Sequence, residues 1–187
     1  MRFAKPTILA ACALLSACGK QGTGDGVSMT NASVSDVART QVAKLQPGEW
    51  RIRVEQVSSA TTGGPSNLPA PPKAPPGDFK ICLTPEQVDR PEGMFSPGMA
   101  QMKNSCTYDR FSMAGGKIDA KMHCAMPGGM KVEGTNSGTF TATTITSDSN
   151  TKVTGLPGGM TNTSHIRMEG TRLGDCKPGD LKAGAAG

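Results

Sequence analysis

The residues able to do chemistry in this 187-residue chain are few. His123 and His165 are its only two histidines, and eleven methionines are its one unusual enrichment. The densest grouping is Met122-His123-Cys124-Ala125-Met126. Thioether sulfur is a soft ligand for Cu(I), sometimes joined by imidazole, so Met122, His123 and Met126 are a candidate metal set. Yet on a strand residues 122 and 123 face opposite sides, which spoils them as a joint chelate. Met94, Met99, Met102, Met113, Met130, Met160 and Met168 are spread along the chain, and methionine also fills an irregular core that lacks Phe and Leu. The preferred reading assigns no metal and no cofactor. A Ser-His-Asp site can be drawn from Asp109, Asp119 or Asp148 and any of many serines, but no nucleophile elbow or comparable local pattern supports it. Glu133 and Glu169 read as strand surface rather than as paired carboxylates. The glycine-rich segments lack a phosphate-loop pattern. No catalytic residue is assigned, and the chain is expected not to be an enzyme.

The elements that must position these residues read as mainly β. Apolar residues at Val34, Val37, Ala38, Val42 and Leu45 follow the helical period, with Ser33 or Ser35 able to cap and Pro47-Gly48 to stop one amphipathic helix. Trp50, Ile52 and Val54 then alternate with Arg51, Arg53 and Glu55, the pattern of a half-buried antiparallel strand. Residues 58–78 hold six prolines and read as a long loop, because proline lacks the ladder donor. A strand over 79–83 follows. Thr84-Pro85-Glu86-Gln87 matches a capping box with proline at the first helical position, so a short helix should start there; Ser96-Pro97 opens another candidate turn. From Cys106 onward the chain reads as a meander: strands over 108–113 and 117–124 flank Gly115-Gly116, and further strands cover about 130–140, 145–154 and 164–173. Pro127-Gly128-Gly129-Met130 and Pro157-Gly158-Gly159-Met160 are near-identical, and read as turns between strands rather than as repeats. The expected fold is a curved antiparallel sheet or open barrel of about seven strands with one amphipathic helix and a short helical insert.

Four cysteines in this body, Cys82, Cys106, Cys124 and Cys176, permit two disulfides. A two-residue Gly-Gly turn pairs Met113 with Ile118 and Phe111 with Ala120, putting Met122 and Cys124 on the apolar face and Cys106 on the other. That register disfavours Cys106–Cys124, so Cys82–Cys106 and Cys124–Cys176 are preferred; a three-residue loop would instead set Cys106 and Cys124 across from each other.

The first residues address the chain elsewhere. Arg2 and Lys5 precede a short apolar run over 7–15, the layout of a secretory signal. Leu15-Ser16-Ala17-Cys18 resembles the lipobox of bacterial lipoproteins. The resemblance implies removal of residues 1–17 and acylation of Cys18, and Gly19 after the cysteine implies the outer membrane, facing the periplasm. Several acyl chains anchor durably, each buried methylene adding about 0.8 kcal/mol. Residues 18–33 are expected to form a flexible tether, 34–177 a single β-rich domain, and 178–187 a disordered tail. Net charge is +5, of which the leader's Arg2 and Lys5 supply two; the rest is scattered, so nucleic acid is not an expected partner.

Pro47-Gly48-Glu49-Trp50, Cys82-Leu83-Thr84-Pro85-Glu86-Gln87 and Arg172-Leu173-Gly174-Asp175-Cys176 together resemble the proteobacterial envelope family catalogued as domain-of-unknown-function family 3617, over about residues 47–176. The resemblance implies a small secreted or lipid-anchored β domain with no established activity and no catalytic residues to carry over. The expected function is that of a lipid-anchored cell-envelope module that binds or builds without catalysis. Its expected partners are the membrane, through the acyl chains, and an envelope protein or an apolar ligand. The alternative is a periplasmic copper-handling protein.

Overall fold

Apolar side chains on alternate residues of many short segments can be buried only if one sheet turns that face inward. The computed structural model, which describes residues 26–38, 40, 45–64, 73–88 and 105–179, does this with eight antiparallel strands. They are β1 (Gly26–Ser33), β2 (Gly48–Thr62), β3 (Gly77–Leu83), β4 (Cys106–Ala114), β5 (Lys117–Ala125), β6 (Lys131–Phe140), β7 (Thr144–Leu156) and β8 (Met160–Gly174). The spatial order is β1-β4-β5-β6-β7-β8-β2-β3, so a five-stranded meander is extended at one margin by β1 and at the other by β2 and β3. The margins do not pair with each other, and the sheet stays open. Short helices α1 (Val34–Ala38) and α2 (Pro85–Val88) complete the fold.

The helix starts obey their sequence signals. Gln87 N–H donates to Thr84 Oγ1 at 3.4 Å while Thr84 N–H donates to Gln87 Oε1 at 2.9 Å, the reciprocal bonds of a capping box. Ser33 and Asp36 do the same for α1. The helix is described only through Ala38; residue 39 and residues 41–44, where the period continued, lie outside the described residues. Gly115 and Gly116 both take positive φ (57° and 73°), as a tight hairpin turn of primed type requires. Pro127–Gly129 and Pro157–Gly159 are single turns linking β5 to β6 and β7 to β8.

Three expectations are corrected. Residues 26–33 are not tether: Val27 and Met29 lie opposite Met113 and Phe111 and add a strand to the edge of β4. The proline-rich segment is shorter at both ends, since β2 runs to Thr62 and β3 begins at Gly77; a ladder with β8 holds residues 58–62, which contain no proline. The preferred cysteine pairing is also wrong. The bonds are Cys82–Cys176 and Cys106–Cys124. The two-residue turn does pair Met113 with Ile118 and Phe111 with Ala120, but Asp109 is an extra residue, so that Tyr108 faces Met122 and Cys106 faces Cys124. One bulge reverses the faces of everything beyond it. His165, expected at the start of the last strand, lies inside it because β8 begins at Met160. Cys18, the leader, residues 65–72, the turn at Ser96-Pro97, Met94, Met99, Met102 and residues 180–187 lie outside the described residues.

The core gathers around Trp50 of β2. Trp50 is fully buried, and its indole N–H donates to the Gln46 carbonyl at 3.0 Å. Phe111, Met113, Ile118 and Ile145 join the same cluster from β4, β5 and β7, while Val34, Val37 and Val88 close it from the helices. Gly170 makes this approach feasible: it stands between Ile52 and Ile145 across β8. A Cβ there would come within 2.6 Å of Ile145 Cγ2 and 3.1 Å of Ile52 Cδ1. Trp50→Ala is expected to destabilise by about 3–5 kcal/mol through the cavity it leaves, and Gly170→Val by about 1–3 kcal/mol through overpacking, both read from denaturant midpoints. Peptide mapping under non-reducing conditions should recover the pairs Cys82–Cys176 and Cys106–Cys124; either of the other two connectivities would contradict this register.

Candidate functional site

Above the packed core the inner face of the sheet is hollow. A cavity of about 270 Å³ opens between the β2–β8 side, where Val54, Ile166 and Met168 line it, and the β4–β5 side, which supplies Tyr108, Phe111, Ile118, Ala120 and Met122. Tyr108 and Phe111 meet edge to face with ring centroids 5.4 Å apart, and burial pushes the Tyr108 phenol above its ordinary range. Gly134 on β6 leaves the floor free: a Cβ there would sit 3.4 Å from Met122 Cγ, in ordinary contact. Ile166 is among the exposed large hydrophobic residues.

A small polar group interrupts this lining. Asn136 on β6 lies opposite Ser149 of β7, with Ser147 two residues along on the same face. Its Nδ2 donates to both serine hydroxyls at 2.6 Å. Its Oδ1 is buried and has no partner. Sequence reading passed over this trio; the available signal was that the inward positions of β6 run Val132, Gly134, Asn136, Gly138, Phe140, two apolar ends with a bare polar middle.

The candidate metal ligands are not brought together on one face. Met122 lines the cavity, and Met126 packs, half-buried, against the core. His123 projects from the other face, where its Nδ1 lies 2.7 Å from Asp109 Oδ1. Because Asp109 is the bulged residue, this contact pins the bulge that sets the Cys106–Cys124 register. His165 Nε2 lies 2.9 Å from Asp148 Oδ1, with Arg167 Nε 3.3 Å from the same oxygen. Among the described residues neither imidazole is hydrogen-bonded to a serine or threonine hydroxyl. Glu133 lies opposite His123 and Lys152, and Glu169 opposite Arg53 and Thr146. The two carboxylates sit on different strands, with β7 between them.

The three motifs quoted above converge at one end of the sheet, away from the cavity. Gly48 faces Leu83, and Glu49 lies between Cys82 and Gly174. The Cys82–Cys176 bond therefore reaches across β2 beside Glu49, a buried carboxylate that meets Lys80 Nζ at 2.6 Å and Lys177 Nζ at 3.7 Å. Arg172 Nε donates to the Pro47 carbonyl at 2.8 Å and its Nη2 to Asp175 Oδ1 at 2.7 Å. Gly48 has φ of 142°, and a Cβ there would collide with the Gly174 carbonyl oxygen at 2.2 Å. These residues clamp β3, β2 and β8 together; they do not line the cavity.

Fold and site define a disulfide-tied, open antiparallel sheet with an apolar hollow on its inner face. The chain belongs to the family described as protein of unknown function (DUF3617), whose model matches residues 45–176. No curated protein and no solved structure matches it.

The surface ion pairs carry a pH signature. The hydrogen bond from His165 and the positive charge of Arg167 hold the Asp148 carboxyl below its ordinary value. A depressed carboxyl stabilises the fold above its unfolded pKa and stops doing so as pH falls through the folded value. Asp148→Asn should therefore lower the urea midpoint near neutral pH, with the difference from wild type shrinking as pH drops below about 4. Asp78, held down chiefly by its hydrogen bond with Arg51, should behave alike in Asp78→Asn.

Proposed function

We propose that this protein is a non-catalytic binding module of the cell envelope that holds a small apolar ligand on the inner face of its sheet, tethered to the outer membrane through acyl chains on Cys18. The observation that carries the reading is the hollow itself: apolar side chains from β2, β4, β5 and β8 line it without filling it. Ligand sites are mostly apolar concavities of roughly 300–1,000 Å³ with a few placed polar groups, and this one, at about 270 Å³, lies just under that range. A dry cavity of about 150 Å³ accommodates benzene, so the volume here encloses roughly ten non-hydrogen atoms, about a naphthyl group, and the open side beside exposed Ile166 leaves the remainder of a longer ligand outside. Disulfide closure of all four cysteines of the domain suits an oxidising compartment. The lipobox-like leader supports the anchor, and mass spectrometry of the natural product should find acyl chains on residue 18.

The binding test uses N-phenyl-1-naphthylamine, whose emission rises in apolar surroundings. Saturable binding to the folded protein is expected, weakened about tenfold, or about 1.4 kcal/mol, in Gly134→Leu, which fills the floor beside Met122. Lack of saturable binding, or equal binding by this variant, would sink the reading.

A further inference from the structure

The hollow has a chemical bias that its apolar walls do not explain. Every side chain lining it is uncharged, so a ligand carboxylate, phosphate or ammonium group entering it would lose its hydration without gaining a counter-charge, which is strongly unfavourable. The same lining nevertheless holds one amide and two hydroxyls at hydrogen-bonding distance from each other. Among the described residues, Asn136 Oδ1 is the one buried side-chain nitrogen or oxygen with no hydrogen-bond partner. Buried polar atoms are nearly always satisfied, and an exception calls for a physical account.

Asn136 sits at an inward position between Gly134 and Gly138 of β6, with Ser147, itself buried, and Ser149 on β7 occupying the Nδ2 protons. With the amide in this orientation the donors are consumed and the acceptor is left. A group that donates a hydrogen bond would complete it, and the terminal amide torsion is soft enough to turn toward one without disturbing the backbone. An alcohol has the needed donor, carries no charge, and brings an apolar tail to the walls formed by Ile118, Met122 and Met168.

We propose that the hollow selects neutral lipophiles bearing a hydroxyl group, and that Asn136 is the residue that reads the hydroxyl. This rests on the reading of the hollow as a ligand site, and the two fail separately. The experiment is displacement of bound N-phenyl-1-naphthylamine from the full chain at pH 7 by three ligands of matched length: 1-octanol, 1-methoxyheptane, which accepts but cannot donate, and octanoate. Octanol is expected to displace the probe about three- to tenfold more effectively than the ether, the range of one neutral hydrogen bond, and octanoate to be weakest. In Asn136→Leu, with its fold checked by circular dichroism and its own probe affinity measured first, the potency ratio of octanol to ether should fall to about one. Equal potency of octanol and ether on the wild type, or octanoate matching octanol at pH 7, overturns the hydroxyl preference without touching the ligand site. Octanol preference surviving in Asn136→Leu overturns the role of Asn136. Because the wild-type series stands alone, a variant that misfolds leaves the preference itself open to refutation.

Discussion

A single sheet with one apolar face is unstable flat, and the need to hide that face governs the rest of this structure. Coiling brings β2 and β8 on one side toward β4 and β5 on the other, and Trp50, Ile52 and Ile145 meet over Gly170. A side chain at that glycine would hold the strands apart. The indole of Trp50 finds its polar partner locally, in the carbonyl of Gln46, so the largest core residue is buried without stranding its N–H. The long β2–β8 ladder transmits the coil upward, and the hollow is what remains where large side chains give way to Gly134, Asn136, Ser147 and Ser149.

The residues of the clamp and the residues that line the hollow are thus different sets, while Tyr108, Phe111, Ile118 and Ala120 serve both the core and the lining. The clamp at the lower end joins three strands through Gly48, Glu49, Arg172 and the Cys82–Cys176 bond, closing a loop of sequence separation 94, while Cys106–Cys124 closes one of 18. In the chain-entropy picture the longer closure restrains the unfolded chain more. Gly48, Glu49, Arg172 and the Cys82–Cys176 bond thus hold strands together away from the hollow. Function, on the reading advanced above, resides in a lining that has no sequence motif.

Much of the architecture was legible because local chemistry and global packing agree. The alternation of Trp50, Ile52 and Val54, the two glycines of the β4–β5 turn and the capping box at Thr84 each describe what the chain does there. The misses have identifiable causes. β1 offers only Val27, Met29 and Ala32 as inward residues within a polar stretch, and an edge strand paired on one side needs little more. The cysteine pairing depended on Asp109, an added residue whose effect on register no turn pattern reveals. The lining was overlooked because an inward asparagine looks like a strand surface residue until the neighbouring strand supplies two serines.

The unpaired margins β1 and β3 have a further consequence. In a closed cylinder strand number and stagger fix the radius, so a guest of the wrong girth is refused outright. A sheet whose first and last strands never meet can widen or tighten by changing its twist slightly, with every ladder hydrogen bond intact. The girth of the chamber is therefore set by side-chain contact across it, chiefly at the Trp50 end, and tolerance for guests of different thickness should grow with distance from that hinge.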